Sequence, residues 1–304
     1  MATGSGGVSQ TSPPAQQTPI PTPPTTQQNL FSNTPTNDTP AAGPYYFGYA
    51  WPYGDMDMQA LVGAQGTQGT QGTQGTQGTQ GTQGAQRGPM LVELYTDPGC
   101  IYSPLGHHLM NDLIRKTNVI AFTCQSDLLR MASGDPMIVP QCSDRHGFYA
   151  YKNNRSRMTP QLAINGHSLV NAYLYDQVIK TIKLMKSLTP QRLEIKQTGK
   201  KDEYYVALPA MQFGETTDFD DRLKVSLVEY QKPIHHKITE GPNAGAEIEI
   251  LHAVSRIIPL PDWFGQAGKY NFTWTPTPNA LGAVLLFESK DTGLYGVGEI
   301  KLTR

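Results

Sequence analysis

Charge divides this chain before any other feature does. Residues 1–88 carry four ionised side chains (Asp38, Asp55, Asp57 and Arg87), and the other 216 residues carry the remaining 45. Ten of the 24 prolines, but no lysine and no cysteine, fall in that first stretch. Sequence of this kind cannot bury enough apolar surface to offset the entropy of an ordered chain. The chain is therefore read as a long arm followed by a folding part large enough for one large or two modest domains. The folding part is near neutral, with 23 basic against 22 acidic residues, so it shows no basic footprint for nucleic acid. No run approaches the ~18 apolar residues that a membrane helix requires. The first ten residues, MATGSGGVSQ, have neither the basic start nor the apolar core of a secretory leader. Taken literally, the chain stays where it is made, leaves by another route, or is numbered from a processed form.

The arm has three textures. Residues 11–44 are rich in Thr, Pro and Gln, which favours extended polyproline-II-like chain and matches the composition of O-glycosylated stalks. Six aromatics then crowd into nine residues: Tyr45, Tyr46, Phe47, Tyr49, Trp51 and Tyr53. Rings at this density are buried when the segment docks on its own body or on a neighbouring chain. Glycines at Gly63, Gly66, Gly69, Gly72, Gly75, Gly78, Gly81 and Gly84 follow, opening eight triplets of Gly-Thr-Gln or Gly-Ala-Gln. Glycine at every third place is the steric requirement of a triple helix, and the triplets resemble collagen-like stretches of bacteria and viruses. No triplet carries proline, so the same pattern also reads as a bundled polyproline-II rod or as a flexible linker.

Beyond residue 88 the periodicity changes. Residues 90–95 read as an apolar strand, and Ser103-Pro104 as a helix start, with serine as N-cap and proline in the first turn. A helix to about Lys116, a strand over 119–124, a helix over 144–151, a loop, strand and turn over 159–166, and an amphipathic helix over 171–188 follow. Strands that alternate with helices point to a small α/β sheet. After Pro190 seven short strands (192–196, 204–208, 223–230, 247–252, 270–274, 284–288 and 296–302) lie between Gly, Pro and Asn punctuation, the pattern of an antiparallel sandwich. Gly241-Pro242-Asn243-Ala244-Gly245 reads as a turn, because no helix follows it.

GCIYSP at 99–104, TPQLAING at 159–166 and EGPNAGAEIEILHAV at 240–254 resemble, in that order, a family of secreted bacterial thioredoxin-like proteins of unknown function. The family's first motif is GCxxCP, its second TPQ-x-x-x-NG and its third a GxNAG stretch. The run from Asp144 through Arg145 and His146 to Tyr149 is similar to the family's arginine-containing helix. The resemblance spans about 90–302 and none of the arm. It implies an α/β + β architecture: a thioredoxin-like domain (89–188), then a β-sandwich-like domain (189–304). Before them come an extended arm (1–62) and the triplet repeat (63–88). It also implies a cis Pro160, with Thr159 and Pro160 flanking Cys100.

Where the family has its second cysteine, this chain has Ser103. Two-cysteine exchange needs a resolving thiol, so if Cys100 works at all it works as a monothiol before a helix N-terminus. The bland alternative is a small apolar Cys100 with Ser103 as a plain helix cap. Cys124 and Cys142 lie 18 apart; they read equally as a disulfide of an oxidising compartment or as two buried thiols. The histidine doublets His107-His108 and His235-His236 have no metal-ligand spacing, and no phosphate, dinucleotide or nucleophile-elbow motif is present. Neither a cofactor nor a small-molecule ligand is therefore expected. Asn37, Asn154 and Asn271 match the short N-glycosylation pattern. The reading that unites these features is a self-associating structural or assembly subunit at the cell surface or outside the cell. Its body has lost its redox pair, and its arm makes the contacts. The other reading is a thiol–disulfide oxidoreductase acting through Cys100.

Overall fold

β1 (Leu91–Thr96) is buried along its whole length, although Glu93 interrupts its apolar run. β1 lies inside a sheet whose two faces are both covered. It pairs in parallel with β2 (Ile120–Gln125) and antiparallel with β3 (Gln161–Ile164), which in turn pairs with β4 (Ser168–Asn171) in the order β2-β1-β3-β4. The computed structural model describes Met1 and residues 88–126, 128–129, 137–213, 222–239, 241–289 and 293–302. All of these except Met1 belong to one compact unit, Pro44–Arg304. The arm, with its expected aromatic anchor and glycine triplets, lies outside the described residues.

Among the described residues, three helices clothe this sheet. On one face lie α1 (Ser103–Lys116) and α3 (Tyr175–Met185), whose Leu109, Leu113, Val178 and Ile182 pack on Val92, Leu94 and Leu162. On the other lies α2 (Pro140–Lys152), burying Cys142, His146, Tyr149 and Ala150 at helical spacing. Proline opens α2 four residues before the expected start, since the first turn does not use its missing N–H. The expected Ser103 cap is corrected: Tyr102 is the N-cap residue of α1 and no side chain caps it. The Asn165-Gly166 turn between β3 and β4 has φ of +52° and +69°. The Asn165 side chain accepts from Leu91 N–H and donates to the Met185 carbonyl, pinning the end of α3 to the sheet.

In the remaining chain the regular elements among the described residues are all strands. β5 (Gln191–Arg192), β6 (Ile195–Gln197), β7 (Glu203–Leu208), β8 (Leu223–Gln231), β9 (Ile234–Lys237), β10 (Glu247–Ile250), β11 (Val254–Trp263), β12 (Gly268–Thr273), β13 (Ala280–Ser289) and β14 (Gly293–Lys301) follow in turn. They form a five-stranded sheet, β11-β8-β13-β14-β5, a three-stranded sheet, β12-β7-β6, and the β9–β10 hairpin. Pairing is antiparallel except between β14 and β5. β11 corrects the expectation of seven strands: it carries Pro259 and Pro261, and it is an edge strand, where a missing N–H costs no ladder bond.

β13 is buried on both faces. Ala283, Leu285 and Phe287 meet Val206, Leu208, Phe272 and Trp274 between the five- and three-stranded sheets. Val284 and Leu286, on its opposite face, join Leu91, Tyr95, Phe122 and Tyr149 in a second cluster. That second core draws on residues from both sides of position 188, so the α/β sheet and the large β-sheet share it.

Candidate functional site

The turn after β1 brings together the residues of the first and second motifs. Cys100 is buried, and its thiol donates to the Thr159 carbonyl at 2.9 Å. The Thr159–Pro160 peptide is cis. Pro160 sits against α1 at Gly106, where an added Cβ would come within 2.6 Å of the proline ring. Ser103 shares this turn: its hydroxyl donates to the Asp97 carbonyl at 2.6 Å and accepts from Thr96 Oγ1 at 2.7 Å. Asp97 is fully buried, its two carboxylate oxygens taken by the N–H groups of Gly99 and Leu129. Around the turn, Ile101, Tyr102 and Met158 are exposed, and Tyr102 stacks on Tyr173 with centroids 4.5 Å apart.

The third motif closes over the same turn. Residues 241–245 form the tip of the β9–β10 hairpin, with Gly241 and Gly245 at φ of +77° and +90°, values that side chains other than glycine strain to adopt. From this tip Asn243 donates to the Cys100 carbonyl at 2.8 Å. The hairpin then runs along α1: Asn111 donates to the Glu249 carbonyl, and Arg115 pairs with the Glu249 carboxylate.

These three motifs, with the sheet between them, match the family model described as "Protein of unknown function (DUF1223)" over residues 91–287 of the 304. The chain belongs to the DUF1223 family. Among solved structures it is similar to protein AGR_C_4864 from Agrobacterium tumefaciens, at 16% identity and a TM-score of 0.56, covering 72% of this chain and all of that one. HBP35 of Porphyromonas gingivalis is more distant, at 12% identity and a TM-score of 0.45 over 71% of this chain and 76% of that one. No curated protein matches the chain.

A buried polar network of this DUF1223 body lies on the other side of the sheet, within the shared core. Arg145 of α2 reaches Glu93 of β1 (Nε to Oε2, 2.6 Å) and Glu288 of β13 (Nη1 to Oε2, 2.6 Å). The hydroxyls of Tyr95 and Tyr149 donate to Glu93 at 2.6 and 2.7 Å. Burial by itself lowers the affinity of the Arg145 guanidinium for its proton, but the adjacent Glu288 and Glu93 carboxylates outweigh it and hold the group well above its usual value. Burial, and then the carboxylates, push the Tyr95 phenol well up, so it stays a donor. His146 stacks on Tyr95 at 4.7 Å between centroids and bonds Gln161, the glutamine of the second motif. One positive charge is thus shared by two carboxylates from the two halves of the body. Arg145 stands out in the sequence, but its partners lie 52 and 143 residues away, and the charge of Glu93 inside an apolar strand is the signal that points to them.

Cys124 and Cys142 form a disulfide with their Cα atoms 5.5 Å apart, tying β2 to α2 beside this network. Cys100 is the free thiol among the described residues. His235 and His236 stand opposite Glu249 and Ile248 in the hairpin ladder. Among the described residues, no three His, Cys, Asp or Glu side chains are grouped to hold a metal ion, and no helix is long and apolar enough to cross a membrane.

Proposed function

We propose that this protein is a structural or assembly subunit that works at a surface or outside the cell, built on a thioredoxin-like body that has lost its exchange chemistry. The state of Cys100 carries this reading. Its thiol proton is committed to the Thr159 carbonyl, and the nearby hydroxyl of Ser103 is committed to Asp97 and Thr96. A cysteine in this state has no resolving thiol, since the other two cysteines are paired with each other, and the Ser103 hydroxyl is not free to take its proton. The Cys124–Cys142 disulfide supports an oxidising compartment. In this reading, 89–188 is the thioredoxin-like part and 189–304 the β-sandwich part. The arm (1–62) joins subunits through its aromatic run at 45–53, and the triplets at 63–88 act as a bundled rod.

Light scattering and electron microscopy of the full chain and of a Δ1–88 variant test the assembly role. The full chain is expected to form concentration-dependent oligomers or filaments, and the truncated chain to remain a monomer. Two identical monodisperse monomers would overturn the reading.

The exposed rim of Ile101, Tyr102 and Met158 beside the cis Thr159–Pro160 peptide favours a second reading, a monothiol that docks a peptide or glutathione at Cys100. In that case the Cys100 thiolate attacks glutathione disulfide, forming a protein–glutathione disulfide and releasing one glutathione thiolate. Intact-mass analysis after incubation with glutathione disulfide distinguishes the two: the structural reading expects no adduct on the native protein.

A further inference from the structure

A line of polar side chains runs along α1 one turn apart, where a core-facing helix is normally apolar. Ser103, His107 and Asn111 are all buried, and the line ends at Arg115, paired to Glu249. Thr96 and Gln125, register partners at the ends of β1 and β2, share the sheet face that α1 covers. The β9–β10 hairpin closes the other side, with His236 near enough to His107 for its charge to oppose protonation.

The hydrogen bonds inside this seam do not balance. Thr96 Oγ1 spends its proton on Ser103, so it can only accept from His107 Nε2, 3.5 Å away. That fixes the proton on Nε2 and leaves Nδ1 a bare acceptor. His107 Nδ1, Asn111 Oδ1 and both amide atoms of Gln125 are buried with no hydrogen-bond partner among the described residues. Unpaired atoms at this density, on side chains at most 8% exposed, are unusual in a native interior. The unmet groups are three acceptors and one amide donor. Among the described residues, the charged groups around the seam are spoken for: Asp97, Arg115 and Glu249 are all engaged.

We propose that this seam between α1, the ends of β1 and β2, and the β9–β10 hairpin binds a small uncharged molecule rich in O–H or N–H donors. Ordered water is the smallest such molecule, and the hydroxyls of a small polyol offer the same chemistry. The hairpin, latched by Asn243 on Cys100 and by Glu249 on Asn111 and Arg115, is its cover. His107 holds its neutral form here, its pKa lowered to about 3 by burial and by His236, which suits an uncharged guest.

The sign of a stability change tests this. Gln125→Met keeps the shape of the side chain and removes both amide atoms. If a guest satisfies them, the melting temperature falls by about 2–4 °C; if they are orphaned, their removal raises it. Crystals of the unaltered protein provide the second measurement. They are expected to show density within hydrogen-bonding distance of His107 Nδ1 and Gln125 when grown without polyol. A second set soaked in glycerol shows whether its hydroxyls replace that water. An empty seam in both sets, or a rise in melting temperature for Gln125→Met, overturns the proposal. If the variant does not fold, the crystals alone decide.

Discussion

Arg145 draws its importance from what its loss would leave behind. Arg145→Ala would strand the carboxylates of Glu93 and Glu288 in the shared core without a counter-charge. A cost of about 3–5 kcal/mol is expected from chemical denaturation, whereas Arg115→Ala, at a half-exposed pair, should cost under about 1 kcal/mol. The buried histidines set the acid response. His107 titrates at about 3 when folded, against an ordinary 6.5. Between those values the unfolded chain binds the extra proton, so stability falls as pH falls. His146 and His252, also lowered by burial, act with the same sign. Glu229 adds a loss at more acid pH. Burial raises its carboxyl, but bonds from Arg256, Thr277, Ser255 and Trp274 outweigh this and hold it below the usual range. Its contribution is therefore lost as pH falls through that lowered value. Urea titrations at pH 5.5 and 4.5 should show a slope that His107→Asn reduces by about 1.4 kcal/mol per pH unit. At this scale the sequence placed Cys100, Thr159 and Pro160 in one neighbourhood through the family resemblance. It misassigned the Ser103 hydroxyl, because a serine before proline looks the same whether it caps the helix or folds back on its own turn.

Elements with one strong period were readable and those that depend on neighbours were not. α1, α3, β1 and β8 follow from spacing alone. β4 is only four residues long, and β11 carries two prolines; both exist because a sheet edge was free to receive them. The hairpin tip was recognised as a turn, but its seat on Cys100 depends on a contact 143 residues long in sequence. The disulfide joins two elements, β2 and α2, across 18 residues. Its reduction is expected to lower stability by about 3 kcal/mol and to speed hydrogen exchange first in α2, which can be read by mass spectrometry with and without reductant.

For the molecule as a whole, the expected boundary at 188 runs through a shared core. A fragment covering 88–188 would expose Leu91, Tyr95, Phe122 and Tyr149, which the complete chain covers with Val284, Leu286 and Val297. It would also leave Arg145 without Glu288. This fragment is expected to give a collapsed state without near-ultraviolet circular dichroism, and the 88–304 chain one sharp unfolding transition. Two native-like, independently melting fragments would contradict it. The both-sided burial of β13 also sets a timetable. A chain made from its N-terminus presents β1, β2 and α2 long before their cover, so the first elements of the body must wait, with an apolar face open, for nearly the last strands to be synthesised. Such a chain cannot lock into its final form piecemeal, and a machinery that moves polypeptides unfolded has the whole length of synthesis in which to engage it.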